Sequence, residues 1–268
     1  MILEKTIDLI RTRYGEMVEN LIVTDVVMGV YMTAIRLSDG SCGVASTDID
    51  CHPPCSKQDR DFGDFTPTKI IGQKVIHLLE SDKALKALDT LKVSALNAIS
   101  HKLIMESGYR IIDDTDPVDL IDLTPLKTIT LVGGFHSYIQ RIEGTGNRLY
   151  VLELDENALR REQKKYYVPA NEYKRILPQS DIIIITGLTL VNNTIDGLID
   201  SIMPHSLVVV AGPSSSLLPD VLFENKVNII GATLITDPSK AFQVAGQAGS
   251  GYHLFRYCAR KICILRQN

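Results

Sequence analysis

The sequence predicts an α/β protein in two parts: a β-meander with helices, then a mostly parallel sheet covered by helices on both faces. Residues 21–46 hold three short segments rich in β-branched residues. From residue 128 onward, short continuous apolar runs alternate with helical stretches, the pattern of strands buried on both faces. The two patterns meet at DDTDPVDLIDLTPLK (113–127), whose five aspartates and two prolines read as a linker. The expected units are 1–115 and 116–268.

The first unit opens with an amphipathic helix in which Leu3, Ile7, Ile10 and Tyr14 keep a 3–4 spacing. Strands follow at 21–29, 31–40 and 42–46. Gly29 separates the first two, and Ser38-Asp39-Gly40 turns the second into the third, because Asp and Gly tolerate positive φ. Residues 70–80 and 83–105 read as helices, with His77 a structural residue. On the wheel of the second helix, Leu85, Leu88, Ala95, Leu96, Ile99 and Leu103 share one face. The opposite face gathers Thr90, Val93, Ser94, Asn97 and His101. That stripe suits contact with another domain or a pocket rim, or equally a solvated face that merely lacks charge. In the second unit, strands are expected at 128–135, 148–155, 180–187, 206–212, 227–235 and 259–265. Helices are expected to about Glu143, over Thr194–Ile202 and over 238–248.

Composition narrows the function classes. The chain has 268 residues, 45% of them apolar and 22% charged, with a formal charge of −4 and no tryptophan. This is ordinary globular composition. A mildly acidic balance lacks the concentrated positive field that nucleic-acid binding needs. The longest apolar runs hold four to five residues, far short of the ~20 that span a bilayer. The acidic residues in MILEKTIDLIRTRYGE argue against a secretory signal. Five cysteines, an odd number in a chain of this size, fit a reduced, cytoplasmic protein. Walker A, G-x-S-x-G and H-E-x-x-H signatures are missing.

The strand ends carry the functional signal. They read Gly133-Gly134-Phe135-His136, Glu153-Leu154-Asp155, Thr186-Gly187, Gly212-Pro213-Ser214 and Gly231-Ala232-Thr233. Open α/β sheets bind ligands at that edge. Glycines admit a ligand to the backbone, and following helices offer N–H groups to anionic parts of it. Glu153 lies twenty residues after Gly133, where an acidic residue meets ribose hydroxyls, although G-G-F-H-S is an incomplete dinucleotide turn. A nucleoside-type ligand such as S-adenosylmethionine is one expectation. His136 at the mouth of the first turn is the natural acid–base group. Asn192 is the better ligand candidate of its loop, with Thr194 and one of Ser214–Ser216 read as helix caps. Cys51-His52-Pro53-Pro54-Cys55, in the long loop 48–69, could hold a soft metal ion, but C-x-x-x-C lacks a second ligand pair, and free thiols are the plainer reading. Cys258 and Cys263 read as small core residues.

The stretches TLVGGF, YVLELDENALR, SDIIIITGLTLVNNTIDGLI and VVVAGPSSSLLPDVLFENKVNIIGATLITD resemble the putative heavy-metal chelation domain family. GVYMTAIRLSDGSCGVA and ALNAIS look like the domain that precedes it there. The resemblance implies an enolase-N-terminal-like α+β domain followed by a Rossmann-like domain, with a site where the two meet. It also implies a role in making or handling metal-chelating small molecules, by condensation or hydrolysis of pterin-, flavin- or siderophore-like compounds. Carried onto matching positions, the implied site residues are Asn97, Gly133, Gly134, Phe135, Glu153, Thr186, Gly187, Asn192, Gly212, Pro213 and Ser214. The family pattern has proline where this chain has His136, and Cys51, His52 and Cys55 match no family motif. The competing readings are a metal- or metallophore-binding protein without catalysis, and a methyltransferase-like enzyme. A small-molecule ligand and a second copy of the chain are the expected partners, with no nucleic acid and no membrane.

Overall fold

The apolar spacing at the start of the chain forms α1 (Ile2–Glu19), whose buried stripe is Ile2, Thr6, Ile10 and Val18. Leu3, Ile7 and Tyr14 flank that stripe, half-buried. This is the arrangement in a computed structural model that describes residues 1–48, 60–124 and 126–267. The helix docks on the far half of the chain. Ile2 N–H donates to Asp196 Oδ1 at 2.8 Å, and Arg13 pairs with Asp220 at 2.6 Å.

The meander forms as expected. β1 (Val23–Met28), β2 (Met32–Leu37) and β3 (Cys42–Ser46) pair antiparallel in the order β1-β2-β3, and Gly40 turns the second hairpin at φ +85°. The helix expected over 70–80 shortens to α2 (Val75–Leu79). The preceding residues pair instead with the chain before β1. Gly72 N–H donates to Val23 O, Val75 N–H donates to Leu21 O, and Gly72 itself sits at φ +92°.

The next helix, α3 (Lys86–Glu106), is buried on both of its expected faces. Leu88, Leu91, Leu96, Ile99 and Leu103 are covered, and so are Thr90, Val93, Ser94, Asn97 and Ser100. A helix buried all round sits between layers, so its small polar stripe meets protein and not solvent. Gly43 makes the contact with β3 close: a Cβ there would lie 2.1 Å from the Ser94 carbonyl oxygen.

Among the described residues, the larger sheet has eight strands. They are β4 (Arg110–Asp113), β5 (Thr128–Val132), β6 (Arg148–Glu153), β7 (Tyr167–Pro169), β8 (Ile182–Thr186), β9 (Leu207–Ala211), β10 (Ile229–Ile235) and β11 (Ala259–Leu265). Their spatial order is β4-β11-β10-β9-β8-β5-β6-β7. Strands β5 to β10 pair in parallel, while β11 runs antiparallel to both β10 and β4. The order therefore reverses between β5 and β8, the Rossmann-like switch point where ligands enter such sheets. The intervening helices are α4 (His136–Ile142), α5 (Tyr173–Ile176), α6 (Leu188–Val191), α7 (Ile195–Asp200), α8 (Asp220–Glu224), α9 (Pro238–Gly246) and α10 (Gly251–Tyr257).

The joining segment departs from the sequence expectation. β4, grouped with the first unit by sequence, is the edge strand of the large sheet. The Asp- and Pro-rich stretch is not an open linker, since Pro117, Val118 and Ile121 are buried. Pro117 lies over Gly231, where a Cβ would come within 2.4 Å of its ring. Gly231 is thus a packing glycine inside β10, which runs on to Ile235, and not a glycine at the ligand edge.

Alternate strand residues feed two cores. Ile183, Ile185, Val208 and Val210 join the cluster that contains α1, α2 and α3. Ile182, Ile184 and Val209 join a second with Ile139 and Ile142 of α4. A third cluster packs Met32, Ala34, Cys42 and Val44 of the meander against Ala241, Phe242 and Leu254 of α9 and α10. Cys258 and Cys263 are buried, in the core positions expected of them. Among the described residues, no helix is long and apolar enough to cross a membrane.

Candidate functional site

The carboxyl ends of β5 and β6 form the open part of the sheet edge. Gly133 turns the chain out of β5 at φ +110°, and its position faces Thr186 of β8: a Cβ there would lie 3.0 Å from Thr186 Cγ2. This is the switch-point crevice. Next to it, Gly134 is half-exposed, and a Cβ on it would lie 3.5 Å from Glu153 Oε2. Glu153 Oε1 accepts the Leu154 N–H at 2.7 Å, which fixes the carboxylate at the end of β6 and leaves Oε2 directed to the glycine. Phe135 stacks on Tyr138, ring centroids 5.0 Å apart and planes 9° apart. Burial pushes the Tyr138 hydroxyl well above its usual pKa, with a hydrogen bond to Asp116 adding to it. His136, half-exposed at the start of α4, has Nδ1 2.6 Å from Gln163 Oε1.

The other expected site residues do a different job. Asn97 is 2% exposed, and its Nδ2 donates to Val44 O at 2.7 Å and to Pro213 O at 3.2 Å. It ties β3 to the turn after β9. Ser214 is buried, and its Oγ accepts the Ser46 N–H at 2.8 Å. Ser215 Oγ lies within hydrogen-bond distance of the Gly212 and Gly231 carbonyl oxygens, to which it has one proton to donate, and Ser216 Oγ bonds the backbone of Thr233. The Gly-Pro-Ser segment is a single 3₁₀ turn, Pro213–Ser215, with its serine hydroxyls already paired. The expectation that it opens a helix holding an anionic group is therefore corrected, because three residues of buried turn present no free helix end. Gly187 is buried against Ser215, whose N would lie 2.8 Å from a Cβ there. Gly212 and Pro213 keep partial exposure beside this contact.

Two further readings change. Thr194 occupies the N-cap position of α7 but makes no side-chain cap, and none of Ser214–Ser216 caps a helix. Asn192 supplies the local turn instead: its Oδ1 accepts Thr194 Oγ1–H at 2.6 Å and Thr194 N–H at 3.3 Å. An amide oxygen that accepts the backbone N–H two residues on forms an Asx turn.

Gln163 is the residue that sequence reasoning missed. It lies in the irregular stretch after β6, where no periodicity marks it, and only the return of that stretch over the β5–α4 turn brings it to His136.

Cys51, His52 and Cys55 lie outside the described residues. Among the described residues, no cluster of three or more His, Cys, Asp or Glu could hold a metal ion. The buried thiols of Cys42 and Cys263 are pushed up to about 12, chiefly by burial, which disfavours the thiolate that a soft metal requires. These buried thiols do not fit a resident soft metal ion.

The fold and its edge define a class: a Rossmann-like α/β protein with half-exposed strand ends at the switch point and an antiparallel meander packed over the β8–β9 ends. The chain belongs to the family described as "Putative heavy-metal chelation" (DUF364), whose profile matches residues 116–264. A second profile of the same description (DUF4213) matches residues 11–100. An uncharacterized protein of Methanocaldococcus jannaschii is 28% identical over 174 residues, and the match spans 64% of the length of each protein. Two solved structures of the same family, both of unknown function, share the fold. One, from Pyrococcus horikoshii, has a TM-score of 0.75 at 23% identity, covering 99% of this chain and 98% of its own. The other, from Desulfitobacterium hafniense, has a TM-score of 0.75 at 19% identity, with the same coverage.

Proposed function

We propose that the protein binds a small hydroxylated heteroaromatic molecule of the nucleoside, pterin or flavin kind in the β5–β6–β8 crevice. The reaction is a condensation or hydrolysis, and the product or substrate is a metal chelator, in keeping with the family description. The observation that carries this reading is Glu153. One oxygen is held by the Leu154 amide, while the other faces Gly134 beside the switch point. A fixed carboxylate there accepts two hydroxyls of a ribose or polyol. The absence of a Cβ at Gly133 and Gly134 lets Thr186 and Glu153 come close to the turn, which brings their side chains to the ligand edge. His136 supplies proton transfer to or from the bound molecule. Thr186 and Phe135 border the crevice and restrict the shape admitted. Asn97, Ser214 and Gly187 act indirectly, by holding the two layers that frame this edge.

Calorimetric titration with adenosine, S-adenosylmethionine and neopterin, which all carry hydroxyl pairs, tests the reading. At least one of them is expected to bind, and Glu153→Gln is expected to weaken it about tenfold or more, the loss of one charge-assisted hydrogen bond. The unfolding midpoint should stay near that of the wild type. Equal binding by the variant, or no binding of any of the three, overturns the assignment.

A further inference from the structure

Gln163 is 1% exposed, in the 3₁₀ turn Arg161–Tyr166 that follows β6. A buried amide of this kind has to pair each polar end. Two neighbours of fixed polarity decide which end is which. The His136 carbonyl can only accept, and it lies 3.3 Å from Gln163 Nε2. The Arg160 N–H can only donate, and it lies 3.4 Å from Gln163 Oε1. Both orient the amide the same way, since the flipped form would oppose two oxygens and abandon the Arg160 amide. The atom 2.6 Å from His136 Nδ1 is therefore an amide oxygen. An amide oxygen accepts and never donates, so Nδ1 carries the proton. A neutral imidazole has only one N–H, and its Nε2 is then an open lone pair. No described residue hydrogen-bonds to that nitrogen.

We propose that Gln163 is a positioning residue which locks His136 in its Nδ1–H tautomer and so sets Nε2 as the base of the crevice. This is the reverse of the tautomer that free histidine prefers in water. Gln163 achieves it without charge. A carboxylate in the same place would also hold the tautomer, but it would stabilise the imidazolium and raise the basicity of the ring. In the neutral ring, the Nε2 lone pair accepts from a ligand O–H or N–H. The transferred proton then resides on Nε2, and Nδ1–H keeps its bond to Gln163. Glu153 Oε2 approaches Gly134, and His136 follows two residues further along the chain. The ligand class that suits this pair has a diol for the carboxylate and an enolic or lactam-type proton for the ring. That ligand class rests on the proposed function; the tautomer does not.

Long-range ¹H–¹⁵N correlation spectra of the full-length protein read the tautomer directly, with His136 assigned by the resonance lost in His136→Asn. In the wild type near neutral pH, Nδ1 is expected to show the protonated signature and Nε2 the unprotonated one. Gln163→Leu should return the ring to mainly Nε2–H. Gln163→Glu should keep Nδ1–H and raise the His136 titration midpoint by about one unit, as an adjacent opposite charge does. A wild-type ring in the Nε2–H form, or an unchanged tautomer in Gln163→Leu, overturns the proposal. Should Gln163→Leu not fold, an unshifted titration in Gln163→Glu does so alone. None of these readings uses a ligand, so failure of the adenosine, S-adenosylmethionine and neopterin titrations leaves the tautomer test standing, and the reverse also holds.

Discussion

Residues of similar type serve opposite ends along one sheet edge. Glu153 and His136 each have one atom tied to protein, and Ser214 spends its hydroxyl on a backbone partner across the layer boundary; Asn97 donates its Nδ2 across that boundary while its buried Oδ1 has no partner among the described residues. His101, one turn beyond Asn97, is half-buried in a cleft with Cys42, Lys102 and Pro238. Burial lowers its pKa from the usual value of 6.5. The folded protein thus binds the His101 proton less readily than the unfolded chain does. The stability this group contributes is whole above the unfolded pKa of about 6.5 and falls as pH drops from there through the lower folded pKa. Urea midpoints measured from about pH 7 to 5 should fall less steeply in His101→Leu than in the wild type. Identical slopes in the two proteins would refute this account of His101.

Among the elements, α3 shows how far tertiary packing can override an amphipathic reading. Its wheel separates a Leu/Ile face from a small polar one, and both are buried, the polar face against β3 and the turn after β9. The contact depends on Gly43, whose missing Cβ would lie 2.1 Å from Ser94 O and 2.3 Å from Ala98 N. Backbone atoms of a central helix cannot yield as a side chain can. Gly43→Ala should therefore cost upwards of ~3 kcal/mol, at the severe end of overpacking. Gly15→Ala is the control. Nothing lies within 4 Å of a Cβ there, and alanine is the better helix former by ~1 kcal/mol. Chemical denaturation of both variants gives the comparison, and a Gly43→Ala protein as stable as Gly15→Ala would remove the argument.

On the scale of the whole molecule, the two expected units share their cores. One cluster joins α1, α2 and α3 to a face of the large sheet, and another joins the meander to α9 and α10. A boundary crossed by two buried clusters has no independent halves. Urea unfolding followed by tyrosine fluorescence and by far-ultraviolet circular dichroism should give one coincident transition. Two separated transitions would show that the units fold independently.

Much of this architecture is written locally. The β-branched and continuous apolar runs mark every strand except the two short edge strands β4 and β7, and Gly133-Gly134 and Glu153 stand at strand ends where the chain itself locates them. The failures are non-local. The reach of Asn97 to Pro213 spans 116 residues, and the pairing of β4 with β11 spans more still. Nothing in the spacing around Gln163 announces that it will meet a histidine 27 residues earlier. Sequence alone determined the α/β class, the central strands and the edge that bears the glycines, because side-chain periodicity and turn chemistry act within a few residues; the edge strands β4 and β7 came from tertiary pairing. Tertiary structure alone decided which polar groups at that edge remain open. A buried donor or acceptor takes whatever partner folding brings within hydrogen-bond reach, and at the β5–β6 ends Glu153 keeps one carboxylate oxygen outside such a bond.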